Sequence, residues 1–120
     1  MTLQPIIENA VKYGLEPLNR PGLLRVFTQE SNGVLNIVIE DNGVGMDDQL
    51  LRQLLQLLDE EDSGDPSSNT ARRGIGLQNV HRRIRLMFGN GYGLRIESSR
   101  ERGTTVVVAM PLPAPGGHQL

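Results

Sequence analysis

The sequence predicts an α+β two-layer sandwich, a mixed β-sheet with about three helices on one face. Three observations predict it. Two strand-like runs flank the turn Ser31-Asn32-Gly33, a leucine-rich stretch repeats at helical spacing, and a second strand pair flanks Arg100-Glu101-Arg102-Gly103.

Leu3, Ile6, Ile7, Ala10 and Val11 recur at helical spacing ahead of Gly14, so residues 3–13 read as an amphipathic helix with a glycine stop. Its other face carries Pro5, Glu8, Asn9 and Lys12, with Tyr13 at the end. Residues 24–30 and 34–41 then form an antiparallel strand pair. In the second strand Leu35, Ile37, Ile39 and Asp41 share one face, which puts a carboxylate on the apolar side of the sheet. Asp47 or Asp48 caps a helix bearing Leu50, Leu51, Leu54, Leu55, Leu57 and Leu58, a broad stripe that must be buried.

Residues 60–70 hold no apolar side chain and read as a mobile loop, a lid over the site. Leu77, Val80, Ile84 and Met87 give the next helix its buried stripe, and Gly89-Asn90-Gly91 ends it. Residues 94–99 and 104–110 are the last strands. Residues 1–112 form one domain, and residues 113–120 a flexible tail.

A chain of 120 residues supports one modest core. A net charge of −2 gives no general attraction for nucleic acid, and Arg82, Arg83 and Arg85 with His81 read as a solvated basic helix face without aromatic interleaving. The absence of cysteine excludes disulfides and thiolate chemistry. No apolar run approaches the roughly 18 residues of a membrane span.

The chemistry-bearing residues fall in three short segments. A carboxylate at the core-facing end of a strand, Asp41, followed by Gly43 and Gly45, leaves room for a ligand and an acceptor to read it; an ordinary Asp–Gly turn is the alternative. Gly74-Ile75-Gly76 before a helix offers backbone N–H groups to an anion, or is a flexible junction. A dinucleotide fingerprint fails because its third glycine would fall at Asn79, and a Walker loop fails because no Gly-Lys-Ser/Thr follows. Asn9 has an amide oxygen suited to a hard cation, or it belongs to a solvated face with a Glu8–Lys12 pair. Arg72 and Arg73 adjoin the glycines, where guanidinium suits charge on a transferring phosphoryl group.

Read together, Leu3–Gly14, Asp41-Asn42-Gly43-Val44-Gly45-Met46 and Arg72-Arg73-Gly74-Ile75-Gly76-Leu77-Gln78-Asn79-Val80 resemble the N, G1 and G2 boxes of the GHKL (Bergerat-fold) superfamily of gyrases, MutL and histidine kinases. The stretch 74–89, GIGLQNVHRRIRLMFG, is similar to the catalytic domains of LytS-like sensor histidine kinases. The match runs from Leu3 to about Pro111. Lys12-Tyr13-Gly14 stands where the family commonly has Lys-His-Gly, and the strand that precedes this helix in relatives is not in the sequence.

The resemblance implies an ATP-binding catalytic domain of a two-component sensor histidine kinase, with ATP and Mg²⁺ as cofactors. Asp41 would read the adenine amine, supported directly or through water by the Thr104 hydroxyl, while Gly43, Gly45 and Met46 line the base. Asn9 would hold Mg²⁺, Lys12 would neutralise phosphate, and Tyr13 would line the adenine or ribose edge. Gly74, Ile75, Gly76 and Leu77 would cradle the phosphates. Glu8, Arg72 and Arg73 are the catalytic candidates. Hydrolysing relatives carry a general-base glutamate where this chain has Pro5, which favours phosphoryl transfer over hydrolysis.

Neither His81 nor His118 is placed to accept the phosphoryl group. The implied partners are therefore a histidine-bearing dimerisation domain of the same kinase and a downstream response regulator, with no nucleic acid and no direct membrane contact. The implied location is cytoplasmic, as part of an inner-membrane sensor kinase. A GHKL serine kinase or ATPase, or a non-catalytic nucleotide-sensing module, is the alternative reading.

Overall fold

Asn32 and Gly33 take φ values of 52° and 78°, the two left-handed residues that a tight hairpin turn demands. Strand β1 (Leu24–Ser31) therefore returns directly as β2 (Val34–Asp41), in a register that pairs Ser31 with Val34 and Leu24 with Asp41. The structure, a computed structural model, describes residues 3–60 and 69–113, the side chains of 69–72 excepted. The expected mobile loop lies mostly outside the described residues, as does nearly all of the expected tail.

A second hairpin joins β3 (Gly93–Ser99) to β4 (Gly103–Pro111), and β4 lies against β2, giving the order β1-β2-β4-β3. The two-layer α+β architecture is as expected, but the described sheet is antiparallel at all three pairings, not mixed. The reason is topological. The strand that follows the helices is the outer β3, and its hairpin partner β4 then meets β2 in the opposite sense.

Ile37 and Ile39 of β2, Leu94 and Ile96 of β3, and Val106 and Val108 of β4 alternate onto one face, where the helices cover them. Helix α1 (Gln4–Asn9) contributes Ile6, and α2 (Asp48–Asp59) contributes Leu54, Leu57 and Leu58. Asp47 caps α2 by accepting the Leu50 N–H at 2.8 Å. Helix α3 (Asn69–Phe88) adds Leu77, Val80 and Ile84.

Four expectations about the helices are corrected. The first helix does not run regularly to a left-handed stop at Gly14. It passes at Ala10 into a π-helical segment, Ala10–Leu15, closed by Glu16 N–H on the Val11 carbonyl, and Gly14 is a buried member of it. Helix α3 begins at Asn69, so Gly74 and Gly76 are inside it and not ahead of it. Met87 is exposed, because the buried stripe ends at Ile84 and residues 86–88 lead out towards the turn. His81 belongs to the interior and not to a basic surface: it is 3% exposed, and its Nδ1 accepts the Leu94 N–H at 2.9 Å.

Candidate functional site

Asp41 ends β2 on the core face, as period-two alternation predicts, and is 8% exposed. Its Oδ1 accepts the Gly43 N–H at 2.8 Å, and the Thr104 N–H, directly across the β2–β4 register, also bonds the carboxylate. Burial pushes the Asp41 carboxyl up from its ordinary value, against those two N–H bonds and the positive charge of Arg73. A buried carboxylate at a strand end, with a shifted pKa, makes Asp41 a candidate functional residue.

Two glycines make the site possible. A Cβ on Gly14 would lie 2.9 Å from Asp41 Oδ1, and one on Gly43 would lie 2.2 Å from the Gly14 carbonyl oxygen. The backbones of the π-helical segment and the β2–α2 loop therefore touch beside the carboxylate, tied by Val44 N–H on the Gly14 carbonyl at 3.0 Å. The π-helical geometry explains what a glycine stop did not, since Gly14 is needed for close approach and not for a left-handed turn.

The helix face meets α3 at the same place. The Asn9 amide nitrogen donates to the Arg73 carbonyl, and the Arg73 guanidinium lies over the Tyr13 ring, 4.8 Å from its centroid. Burial lowers the Arg73 pKa, opposed by Tyr13 and Asp41. Asn9, Tyr13, Asp41 and Arg73 thus converge, although they lie in three separate segments. Glu8 and Lys12 are exposed. Glu8 accepts from Gln4 Nε2 at 3.2 Å, and Lys12 sits beside the Tyr13 ring, so neither takes up the helix-face ion pair. The Arg72 side chain lies outside the description.

The remaining candidates divide between the site and its supports. Met46 and Leu77 are core residues, Ile75 is 48% exposed, and Gly45 takes a φ of 68°. Gly74, Ile75 and Gly76 do not present a helix N-terminus in this conformation, because α3 begins five residues before Gly74. Gly74 lies so close to α2 that a Cβ would sit 2.5 Å from Leu57 Cδ2, which lets the extended helix pack there.

Thr104 supports Asp41 through its backbone, while its hydroxyl pairs with Ser98 Oγ at 2.8 Å. Ser98 is the residue that sequence reasoning missed. Its hydroxyl also accepts the Met46 N–H at 2.9 Å and donates to the Gly103 carbonyl at 3.0 Å, binding the loop after Asp41 to the second hairpin. A serine in a strand carries no signal for this.

The space around these residues is divided. A hollow of about 250 Å³ opens beside Asp41, lined also by Asn42, Arg102 and Thr105. A roomier one, about 450 Å³, lies at the far end of α2 by His81, Asp59 and Arg85, remote from Asp41. There Asp59 lies 3.7 Å from His81 Nε2 and 3.5 Å from Arg85. The candidate residues gather around Asp41 and not at this larger hollow.

Sensor histidine kinase YesM of Bacillus subtilis is 42% identical over 111 residues, which is 92% of this chain and 16% of that protein. Sensor protein kinase HptS of Staphylococcus aureus is 31% identical over 112 residues, 93% of this chain and 20% of the relative. The chain thus spans a fifth or less of the length of these curated relatives. Among solved structures, the catalytic domain of histidine kinase ThkA superposes with a TM-score of 0.58 at 18% identity, over 90% of this chain and 63% of that one, which establishes the fold. The family described as histidine kinase-, DNA gyrase B- and HSP90-like ATPase matches residues 1–114. With a buried, glycine-flanked carboxylate at the end of β2 and a match over nearly its whole length, the chain belongs to this ATPase family.

Proposed function

We propose that the chain is the ATP-binding catalytic domain of a sensor histidine kinase, passing the γ-phosphoryl group of ATP to a histidine on a separate dimerisation segment, with a response regulator downstream. The observation that carries this reading is the buried Asp41 carboxylate gripped by Gly14 and Gly43 beside the Asn9–Tyr13 face. Among the described residues no helix is long and apolar enough to cross a membrane. A cytoplasmic location is part of the same proposal.

Asp41 accepts a hydrogen bond from the exocyclic amine of adenine, and the bare backbones of Gly43 and Gly45 allow the base to approach. Met46 and Leu77 back it from the core, Thr104 holds the carboxylate, and Tyr13 lines the base or ribose edge. The N–H groups of Gly74, Ile75 and Gly76 serve the phosphates, with Lys12 and Arg72 or Arg73 neutralising charge.

The described residues fit a lightly held divalent ion. With its amide nitrogen on the Arg73 carbonyl, Asn9 has its amide oxygen to offer, and a cation would take that one protein ligand and draw the others from phosphates and water. When bound, Mg²⁺ neutralises charge on the phosphate oxygens. The acceptor ring nitrogen forms the P–N bond with its lone pair, and the P–O bond breaks with its electrons leaving on ADP. Glu8 holds the N–H of the other ring nitrogen. Pro5 lies where a water-activating base would be needed, which favours transfer over hydrolysis.

The test is transfer of labelled γ-phosphoryl from Mg-ATP to a histidine-bearing segment supplied in trans. Acid-labile label on that segment is the expected result, and release of inorganic phosphate alone would point to an ATPase. Asn9→Ala is expected to weaken Mg-ATP binding by about tenfold or more, ~1.4 kcal/mol, and metal-free ADP much less. Equal losses in calorimetry would mean that Asn9 acts on the fold and not through the ion.

A further inference from the structure

The face that the proposed function gives to nucleotide is covered here by the chain's own helix. Arg73 lays its guanidinium on the Tyr13 ring, and its carbonyl takes the Asn9 amide. Gly76 approaches α1 so closely that a Cβ would be 3.2 Å from Pro5 Cβ. The N–H groups of Gly74–Gly76, needed for phosphate, are inside α3. Ring, amide and anion-binding backbone are therefore all engaged by one short stretch of α3.

We propose that Arg73 and the α3 residues beside it are an internal plug, competing with adenine nucleotide for the Asn9–Tyr13–Asp41 face. The inference rests on the proposed function of that face. A guanidinium is planar and rich in N–H donors, so over an aromatic ring and near a carboxylate it offers what the amine-bearing edge of adenine offers. Its seat is imperfect. Arg73 Nε is buried without a hydrogen-bond partner, and burial disfavours its charge. Two glycines within three residues weaken the helix at the same point. Nucleotide entry returns Gly74–Gly76 to a loop whose N–H groups face phosphate, and frees the Arg73 side chain to follow them.

The experiment separates the plug from any contact between Arg73 and phosphate by titrating adenosine, which has none, beside ADP. If between half and nine-tenths of molecules are plugged, Arg73→Ala tightens adenosine binding by about 2- to 10-fold. Arg73→Lys, which keeps the charge and loses the planar stack, tightens it less. Hydrogen exchange of the amides at 74–77 in the wild-type chain quickens with adenosine, which supplies no phosphate to protect them. Unchanged or weaker adenosine binding in Arg73→Ala, while Asp41→Asn still removes it from the wild type, overturns the plug and leaves the nucleotide site standing. Failure of both wild type and Arg73→Ala to bind adenosine or ADP overturns both.

Discussion

Asp41→Asn is expected to weaken ADP binding severely while the chain stays folded. The carboxylate has two acceptor oxygens in a pocket where Gly43 and Thr104 already supply donors. Asparagine replaces one oxygen with an NH₂ that faces either those N–H groups or the adenine amine, and in both positions donor meets donor. A buried polar group left unpaired costs ~1–3 kcal/mol, or roughly 5- to 150-fold in Kd. Wild-type affinity in a folded Asp41→Asn variant would take Asp41 out of the site.

The same substitution has a pH signature. Burial raises the Asp41 pKa above its ordinary 3.8, so its contribution to stability is full below that value and is lost as pH rises through the folded-state pKa. Because asparagine does not titrate, the stability of the wild type relative to Asp41→Asn should grow as pH falls through that window. Adenine binding should fall over the same window, since the protonated acid has one acceptor fewer. Thermal melts of both proteins across acidic pH check the sign.

Gly43→Ala should strongly disturb the fold near the site. The added methyl would lie 2.2 Å from the Gly14 carbonyl oxygen and 2.4 Å from its carbon, and both are backbone atoms that no rotamer change can move. Overpacking of this kind costs ~3 kcal/mol or more, a fall in Tm of roughly 10–20 °C for a chain of this size. Relief by displacement would carry Gly14 away from Asp41, so nucleotide affinity should fall together with Tm. An alanine variant melting within a few degrees of wild type would show that this backbone contact yields easily.

The strands, the Asn32–Gly33 turn, the Asp47 cap and the core-facing Asp41 were legible because each is set by local periodicity or turn chemistry. Residue type and spacing alone determine such features. The Asn9–Arg73 and Tyr13–Arg73 contacts were not legible, since they depend on how far α3 extends, and the glycines at 74 and 76 argue locally against a helix there. Packing of Gly74 onto Leu54 and Leu57 overrides that preference. The π-helical segment was hidden because its 10–15 stretch carries an ordinary amphipathic pattern. His81 looked like surface because its neighbours are arginines, yet the backbone N–H of Leu94 gives its ring a buried partner. Ser98 ties the loop after β2, at Met46, to the start of β4, at Gly103 and Thr104, an arrangement that exists only once the sheet is assembled.

The most direct measurement is calorimetric titration of the chain with ADP and with GDP at neutral pH. Guanine carries a carbonyl oxygen where adenine carries its amine, so at Asp41 it would set acceptor against acceptor. ADP is expected to bind one to one, with GDP weaker by about tenfold or more. Equal affinity for the two, or no heat with ADP, would contradict an adenine site built on Asp41.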